Sequence, residues 1–165
     1  MQKRTSWIAV TLAAMLVLGA ATCYPVLPTR FMILEAIMRG GEIQFASPQL
    51  EGRCPSGVIV RGISIVRLRC ERDCDQWELA KTRRGMADTP IDELTLTRLP
   101  IRYGQDLPYT RVIHGAKPLT PGVYSAGAVM DCPIRGEVIG QTVLGRFELP
   151  PAGGEIRNIL GSQEP

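Results

Sequence analysis

The chain has 165 residues, of which 45% are hydrophobic and 21% charged, and its formal net charge is +3. A chain of this length forms one ordinary domain with a core of its own, so disulfides would support its folding rather than replace a core. The near balance of charge argues against nucleic-acid binding as the main role, because neutralising phosphates needs a clustered basic excess.

The first residues have the pattern of a secretory leader. Lys3 and Arg4 precede an uncharged apolar run, Ile8–Ala21, which at about 14 residues is shorter than the ~20 that span a bilayer as a helix. Small residues end this run, and the simplest prediction is cleavage after Ala21. Cleavage would reduce the 19 basic residues to 17 against 16 acidic ones, a net charge of +1.

Cys23 leaves two other fates open for the leader. The stretch Leu18–Cys23 partly resembles the box of bacterial lipoproteins, in which the cysteine is acylated, but its leucine lies further back and Thr22 is large for the residue before the cut. Alternatively, the segment stays uncleaved, with aromatic residues at both membrane interfaces. Residues 1–22 are therefore predicted to be a signal peptide or membrane anchor, and Cys23 is the candidate lipidation site.

The five cysteines of the chain predict disulfides. In an oxidising compartment cysteines pair, and lipidation of Cys23 would account for the odd one. We predict one bridge between Cys70 and Cys74, across a hairpin, and another between Cys54 and Cys132, from a loop to the end of a strand.

Alternating and β-branched residues predict a mainly β domain over residues 42–150. Gly62 predicts a bulge or bend in its longest apolar segment. The pattern favours a small antiparallel β-sandwich of immunoglobulin or fibronectin-III type, or an open barrel. Strands are predicted at 42–47, 58–70, 76–82, 93–103 (two short strands around Pro100), 110–113, 123–132 and 138–149.

The segments around these strands are less regular. Residues 23–41 are predicted to be a linker or short helix, although 29–41 is equally compatible with a buried strand, since a short apolar run does not separate the two. Proline and glycine predict a loop at 48–57. Residues 151–165 are predicted to be a C-terminal tail, mobile apart from one helical turn.

The templates of common active sites do not fit the chain. The only histidine, His114, has no Gly-x-Ser-x-Gly nucleophile to serve. One histidine and scattered cysteines do not favour a zinc site, and the three-residue spacer of Cys70–Cys74 is not that of a redox motif. Asp73, Asp75 and Glu78 are predicted to belong to a solvated loop of mixed charge. We therefore predict no catalytic residue, no cofactor and no metal.

Aromatic and basic residues near the predicted hairpin are candidates for an interface. Trp77 is expected either in the core over a disulfide or on a binding surface, and Tyr109 is a further aromatic candidate. Arg67 and Arg69 are predicted to face water while Val66, Leu68 and Cys70 face the core. With Arg83 and Arg84 they would form a positive stripe for anionic headgroups or an acidic partner.

Together these features predict an exported protein of the bacterial envelope, in the periplasm or attached to the membrane. Its predicted role is non-catalytic, either binding or structural, with an envelope protein as partner and no nucleic acid. Two alternatives stay open. One is an exported hydrolase whose acidic pair is not visible in sequence. The other is an inhibitor or accessory protein that blocks a partner enzyme with the proline-rich loop Leu107–Pro121.

The fate of the leader can be measured as the intact mass of the protein purified from the membranes of its own cells. Cleavage after Ala21 predicts the mass of residues 22–165 with two bridges formed. Acylation of Cys23 would add the mass of its lipid. Recovery of the full chain would contradict cleavage and indicate an anchor.

Overall fold

The computed structural model describes residues 31–82, 89–151 and 154–159. The predicted leader, Cys23 and the pair Arg83–Arg84 lie outside these ranges. Within them the fold is mainly β, with a seven-stranded sheet packed against a three-stranded one. No helix of the described ranges is long and apolar enough to cross a membrane.

The larger sheet is mixed. Its strands are β1 (Met32–Ile33), β4 (Ile59–Arg67), β5 (Asp75–Lys81), β7 (Thr110–His114), β8 (Gly122–Ile134), β9 (Glu137–Leu149) and β10 (Arg157–Asn158). They follow one another in the order β1-β9-β8-β4-β5-β7, and β10 also pairs with β9. Only β1 runs parallel to its neighbour, β9, and the other pairs are antiparallel, so the predicted all-antiparallel arrangement holds except at β1.

The smaller sheet is antiparallel, in the order β2-β3-β6, and the sheets form no closed barrel among the described residues. Its strands are β2 (Glu35–Arg39), β3 (Glu42–Ala46) and β6 (Ile101–Arg102). One α-helix, α1 (Pro48–Arg53), follows β3, and a 3-10 turn spans Ile91–Glu93.

The longest hairpin, β8–β9, is specified by its turn and its alternation. Arg135 and Gly136 have φ of 51° and 82°, the left-handed conformation that a two-residue hairpin turn of type I′ has at both positions. Along β8, Tyr124, Ala126 and Ala128 are buried while the residues between them are not. This alternation places one face of the larger sheet on the core.

A β-bulge lies at Arg61 of β4, and the burial along this strand corrects one prediction. The pairing with β8 skips from Val60 to Gly62, which confirms the irregularity predicted at Gly62. After the bulge the buried residues are Ile63 and Ile65, so the core-facing phase of β4 is the opposite of that predicted from Ser64 onward. The predicted core residue Val66 is only half-buried, and Leu68, also half-buried, lies beyond the end of the strand. Cys70, beyond the end of the strand, is also half-buried.

An aromatic cluster joins the two sheets. Phe45 of the smaller sheet lies 6.5 Å from Trp77 and 5.9 Å from Phe147, measured between ring centroids. Tyr103 contacts the ring of Trp77 edge-on at 5.4 Å, and Tyr124 stacks on Phe147 at 5.2 Å. Such pairs contribute about 0.5–1.5 kcal/mol each beyond burial of their area, so this cluster is the centre of the core.

The structure extends the domain beyond its predicted limits. Residues 32–39, left open between helix and strand, form β1 and β2, and the compact unit begins at Phe31 rather than at residue 42. The tail returns as β10 against β9, so its described part is held by backbone pairing. A tail of ordinary polar composition gives no sequence signal for such pairing.

Two further segments differ from their predictions. Residues 48–53, predicted as loop, form α1, because Pro48 is acceptable in the first turn of a helix and Leu50 is fully buried. Of the two strands predicted at 93–103, only β6 is a strand, and Thr97 contributes an isolated bridge to Val58.

Both predicted disulfides are present. Cys54 is bonded to Cys132 and Cys70 to Cys74. The first connects the end of α1 with β8 across a sequence separation of 78 residues, and the second closes the turn between β4 and β5 with a separation of 4. Two disulfides suggest an oxidising, extracytoplasmic environment.

Leu34 carries the chain from the larger sheet to the smaller one. Its N–H donates to the carbonyl oxygen of Leu144 at 2.9 Å, and its own carbonyl lies against Gly145 so closely that a Cβ on residue 145 would overlap it. Only glycine at this position lets the two backbones approach in this way.

Substitution of Gly145 tests this crossing. Gly145→Ala is expected to lower the free energy of unfolding by at least about 3 kcal/mol, because the clash is with backbone and overpacking of this kind is costly. Urea denaturation followed by fluorescence measures the change. The control is Gly115→Ala, where a Cβ meets nothing within 4 Å and the change should stay within about 0.5 kcal/mol. Equal stability of the two variants would contradict the crossing.

Candidate functional site

Strand β7 is an exposed edge of the larger sheet. It pairs with β5 on one side, and within the described ranges no strand pairs with its other side. Val112 is 55% exposed and Ile113 is 41% exposed. An edge strand presents unpaired backbone N–H and C=O groups to a further strand, and here apolar side chains accompany them. We call Thr110–His114 the edge surface.

The edge surface is irregular. Glu78 pairs with His114 and Leu79 pairs with Val112, so Ile113 is the extra residue of a β-bulge. Bulges blunt an edge against indiscriminate pairing. A strand that adds to this edge must therefore accommodate the bulge, which favours a specific partner over aggregation.

Tyr109 fixes the start of the edge surface. Its carbonyl oxygen accepts hydrogen bonds from the backbone N–H of Thr82 at 2.8 Å and from the hydroxyl of that residue at 3.1 Å. Its own hydroxyl accepts from the N–H of Thr95 at 2.9 Å. The predicted interface residue Tyr109 is therefore a half-buried anchor beside the edge surface.

Tyr103 fixes the segment that follows the edge surface. The N–H of Lys117 donates to the carbonyl oxygen of Gln76 at 2.9 Å, and the Tyr103 hydroxyl lies 2.9 Å from that oxygen and 2.8 Å from the Lys117 carbonyl oxygen. Its proton is donated to one of these two acceptors at a time. Burial raises the pKa of Tyr103 to about 12.

Charged side chains cluster at the same end of β5 and β7. Nε2 of His114 lies 3.8 Å from Asp75 Oδ2 and 3.6 Å from Glu78 Oε2. Lys117 Nζ bonds Asp73 Oδ1 at 2.5 Å, and this hydrogen bond lowers the pKa of Asp73. All of these groups contact solvent, where ion pairs contribute little to stability. Because these charged side chains are exposed, they can contact a charged group on a partner.

The residues predicted to form an interface do not share one surface. Trp77 is 2% exposed and packs in the aromatic core, so a partner cannot reach it on the folded chain and packing is the role that the structure supports. Arg67 and Arg69 line one cavity of about 360 Å³ near the start of β8. There Nη2 of Arg67 donates to the Pro121 carbonyl oxygen at 2.9 Å.

An ion pair with a buried carboxylate and a partly exposed arginine lies elsewhere on the larger sheet. Asp131 in β8 is 1% exposed, and its Oδ2 accepts a hydrogen bond from Nε of Arg61 at the β4 bulge. Asp131 Oδ1 has no hydrogen-bond partner among the described residues. The bulge brings the arginine over the carboxylate, which explains how a charged residue is tolerated at a buried position. The alternation in sequence gives no sign of this pair.

Comparison with known protein families, with curated proteins and with solved structures gives no match. Among the described residues the edge surface combines exposure, apolar side chains and unpaired backbone hydrogen-bonding groups. Sequence reasoning predicted a strand at 110–113 but had no signal that it would lie at the edge.

Titration tests the burial of Tyr103. Its native pKa of about 12 exceeds the ordinary value of 10.0, so between these values the unfolded chain releases the proton and the native one retains it. The free energy of unfolding should therefore fall as pH rises through that window, and be constant with respect to this group below it. Absorbance at the phenolate band should show one late ionisation that Tyr103→Phe removes. Loss of an ionisation near pH 10 instead would contradict the burial.

Proposed function

We propose that this chain is an exported protein of the bacterial envelope that binds a protein partner and catalyses no reaction. The exposure of Val112 and Ile113 on an edge strand carries this proposal. The occupant we propose is an extended segment of the partner, which adds to the sheet along Thr110–His114 by backbone hydrogen bonds.

Several features support this role. Both ends of the edge surface are held by hydrogen bonds of Tyr109 and Tyr103, and a preorganised surface loses less conformational entropy on binding. The disulfide-braced scaffold would act as immunoglobulin-like sandwiches do, by presenting edges and loops rigidly. This role also fits the accessory protein that blocks a partner with residues 107–121.

The charges at the two ends of the edge surface favour one orientation of the proposed partner strand. Lys81 and Arg111 are exposed at one end of the edge surface, and Asp75 and Glu78 lie with His114 at the other. A partner strand with an acidic residue near the first end and a basic one near the second would be favoured.

The hydrolase alternative needs two close carboxyl groups, one with a raised pKa. Asp75 and Glu78 approach His114 on an exposed face. The neighbouring Asp73 has a lowered pKa, which is the opposite of what a general acid requires. No observation of the described residues favours the hydrolase over the binding role.

Localisation is part of the proposal. Two disulfides, a short apolar leader and small residues before Cys23 together support export to the periplasm or outer face of a membrane. Lipidation of Cys23 would tether the domain and keep the edge surface near membrane-bound partners.

Photo-crosslinking tests the edge surface directly. A photoreactive residue at Arg111 in the full chain, expressed in its own cells, should form an adduct with one partner. Val112→Lys combined with Ile113→Lys should reduce that adduct at least tenfold, because burying a valine or isoleucine contributes about 1.5–3 kcal/mol.

The matched control is Val138→Lys combined with Ile139→Lys. It replaces an equivalent pair that is 37% and 41% exposed on β9, and it should leave the adduct unchanged. An adduct that survives the change at 112 and 113, or that is lost equally in both double variants, would refute the proposed surface.

A further inference from the structure

The outward face of the smaller sheet carries a cleft lined by arginines. Its volume is about 460 Å³, and its lining includes Arg39, Arg98 and Arg102. We call it the Arg cleft. The three residues come from three segments: the end of β2, the chain before β6, and β6 itself.

Strand alternation explains why the side chains of Arg39, Gln44 and Arg102 point away from the core. Phe45 and Ile101 are opposite one another and fully buried. The next pair, Gln44 and Arg102, therefore projects to the other face. Arg39 is paired with Glu42 two residues before Gln44, and so shares that face.

The segment that carries Arg98 is held in place by backbone hydrogen bonds. Thr97 exchanges two hydrogen bonds with Val58, at 2.7 and 2.8 Å, and is 7% exposed. The backbone at Gly57, which has a φ of +115°, lies against this segment. A Cβ on residue 57 would be only 2.8 Å from the Thr97 carbonyl oxygen. Arg98 is thus attached to a fixed segment rather than to a free loop.

Few carboxylates in the described ranges compete with a ligand for the guanidinium groups of the Arg cleft. Among the described residues Arg39 and Arg98 form no ion pair, and Arg102 lies 3.8 Å from Glu42, with both side chains 59% exposed. Of the residues that the structure describes, none that lines the cleft carries a carboxylate. Gln105 accepts a hydrogen bond from the Arg102 N–H at 3.1 Å through Oε1, which leaves its amide NH₂ to donate.

We propose that the Arg cleft binds a phosphate monoester. Such a group carries about −1.5 to −2 charge near neutral pH and three acceptor oxygens. Three guanidinium groups and two amide side chains, Gln44 and Gln105, match that charge and that number of acceptors. A single carboxylate has two oxygens and is satisfied by one bidentate arginine.

The cleft also accommodates the organic part of an ester. Leu96, Pro100 and Pro108 contribute apolar lining beside the arginines, and its volume lies in the range of small-molecule sites. This site is independent of the edge surface, because none of its lining residues belongs to Thr110–His114. Either proposal can fail without the other.

Binding of glycerol 3-phosphate to the full chain tests the proposal, by calorimetry and by the ¹⁵N resonances of the arginine Nε groups. The triple variant Arg39→Gln, Arg98→Gln, Arg102→Gln should bind at least tenfold more weakly than the wild type. The control variant Arg72→Gln, Arg135→Gln, Arg146→Gln removes the same charge from exposed positions outside the cleft lining and outside the edge surface. It should bind like the wild type at about 0.15 M salt, where distant charges are screened.

Glu42→Gln gives a test of opposite sign. It removes the carboxylate nearest to Arg102, so binding should become tighter, which unfolding of the variant could not mimic. Equal weakening in the two triple variants, or weaker binding by Glu42→Gln, would overturn the proposal. Succinate that binds as tightly as glycerol 3-phosphate would overturn it in favour of an acidic peptide.

Vesicles distinguish the two sources of such a group. Phosphatidic acid in phosphatidylcholine presents the monoester on a lipid, and phosphatidylcholine alone is the control. Binding to the first vesicle that the cleft variant loses would assign the site to a lipid headgroup. Binding of glycerol 3-phosphate without binding of these vesicles would assign it to a soluble ester. Failure of both probes to bind the wild-type chain would overturn the proposal.

Discussion

The passage of Leu34 against Gly145 is the constraint on which the two-sheet arrangement depends. On one side of this crossing Met32 and Ile33 pair with β9, and on the other Ala36 pairs with Phe45 in the smaller sheet. A single residue, Leu34, therefore connects the two sheets, and its contact with Gly145 holds this connection against β9. The aromatic cluster fills the space so defined, since Phe45 reaches Trp77 and Phe147 of the opposite sheet.

The same end of the molecule is closed by the returning tail. The Ala36 N–H donates to Asn158 Oδ1 at 2.8 Å, and Asn158 Nδ2 donates to the Ala36 carbonyl oxygen at 2.9 Å. The asparagine amide thus imitates a neighbouring strand, while the backbone of β10 covers the outer edge of β9. Along residues 143–148 this edge of the larger sheet is covered by the chain itself, through β1, Leu34 and β10. The outer side of β7 has no such cover among the described residues and is blunted there only by its bulge, which favours β7 as the place where the proposed partner strand would add.

Sequence reasoning recovered what local alternation encodes and missed what depends on distant chain segments. The strands around Phe45, Trp77 and Phe147 and the two disulfides follow from alternation and cysteine positions. The crossing at Gly145 does not, since a glycine in an apolar strand has the same local pattern whether or not another backbone lies against it. The predicted phase of β4 was wrong because Ile63 and Ile65 face the core, whereas apolar residues also occupy the opposite phase, at Val66 and beyond the strand end at Leu68, where the sequence alone suggests burial. The edge surface and the Arg cleft are products of strand order, which no local pattern contains.

The Arg cleft shows how a nearly neutral chain can still concentrate charge. The excess of basic over acidic residues is only three over the whole sequence, and that average argues against an extended phosphate backbone as ligand. A compact ligand samples only the potential within about one Debye length, roughly 8 Å at physiological salt. Within that radius the net charge is set by which side chains the fold places together, and Arg39 and Arg102 share one face of the smaller sheet, on the two sides of β3. The low net charge therefore argues against a large polyanion as ligand. The strand order nevertheless places enough arginines together in the Arg cleft for a small anion.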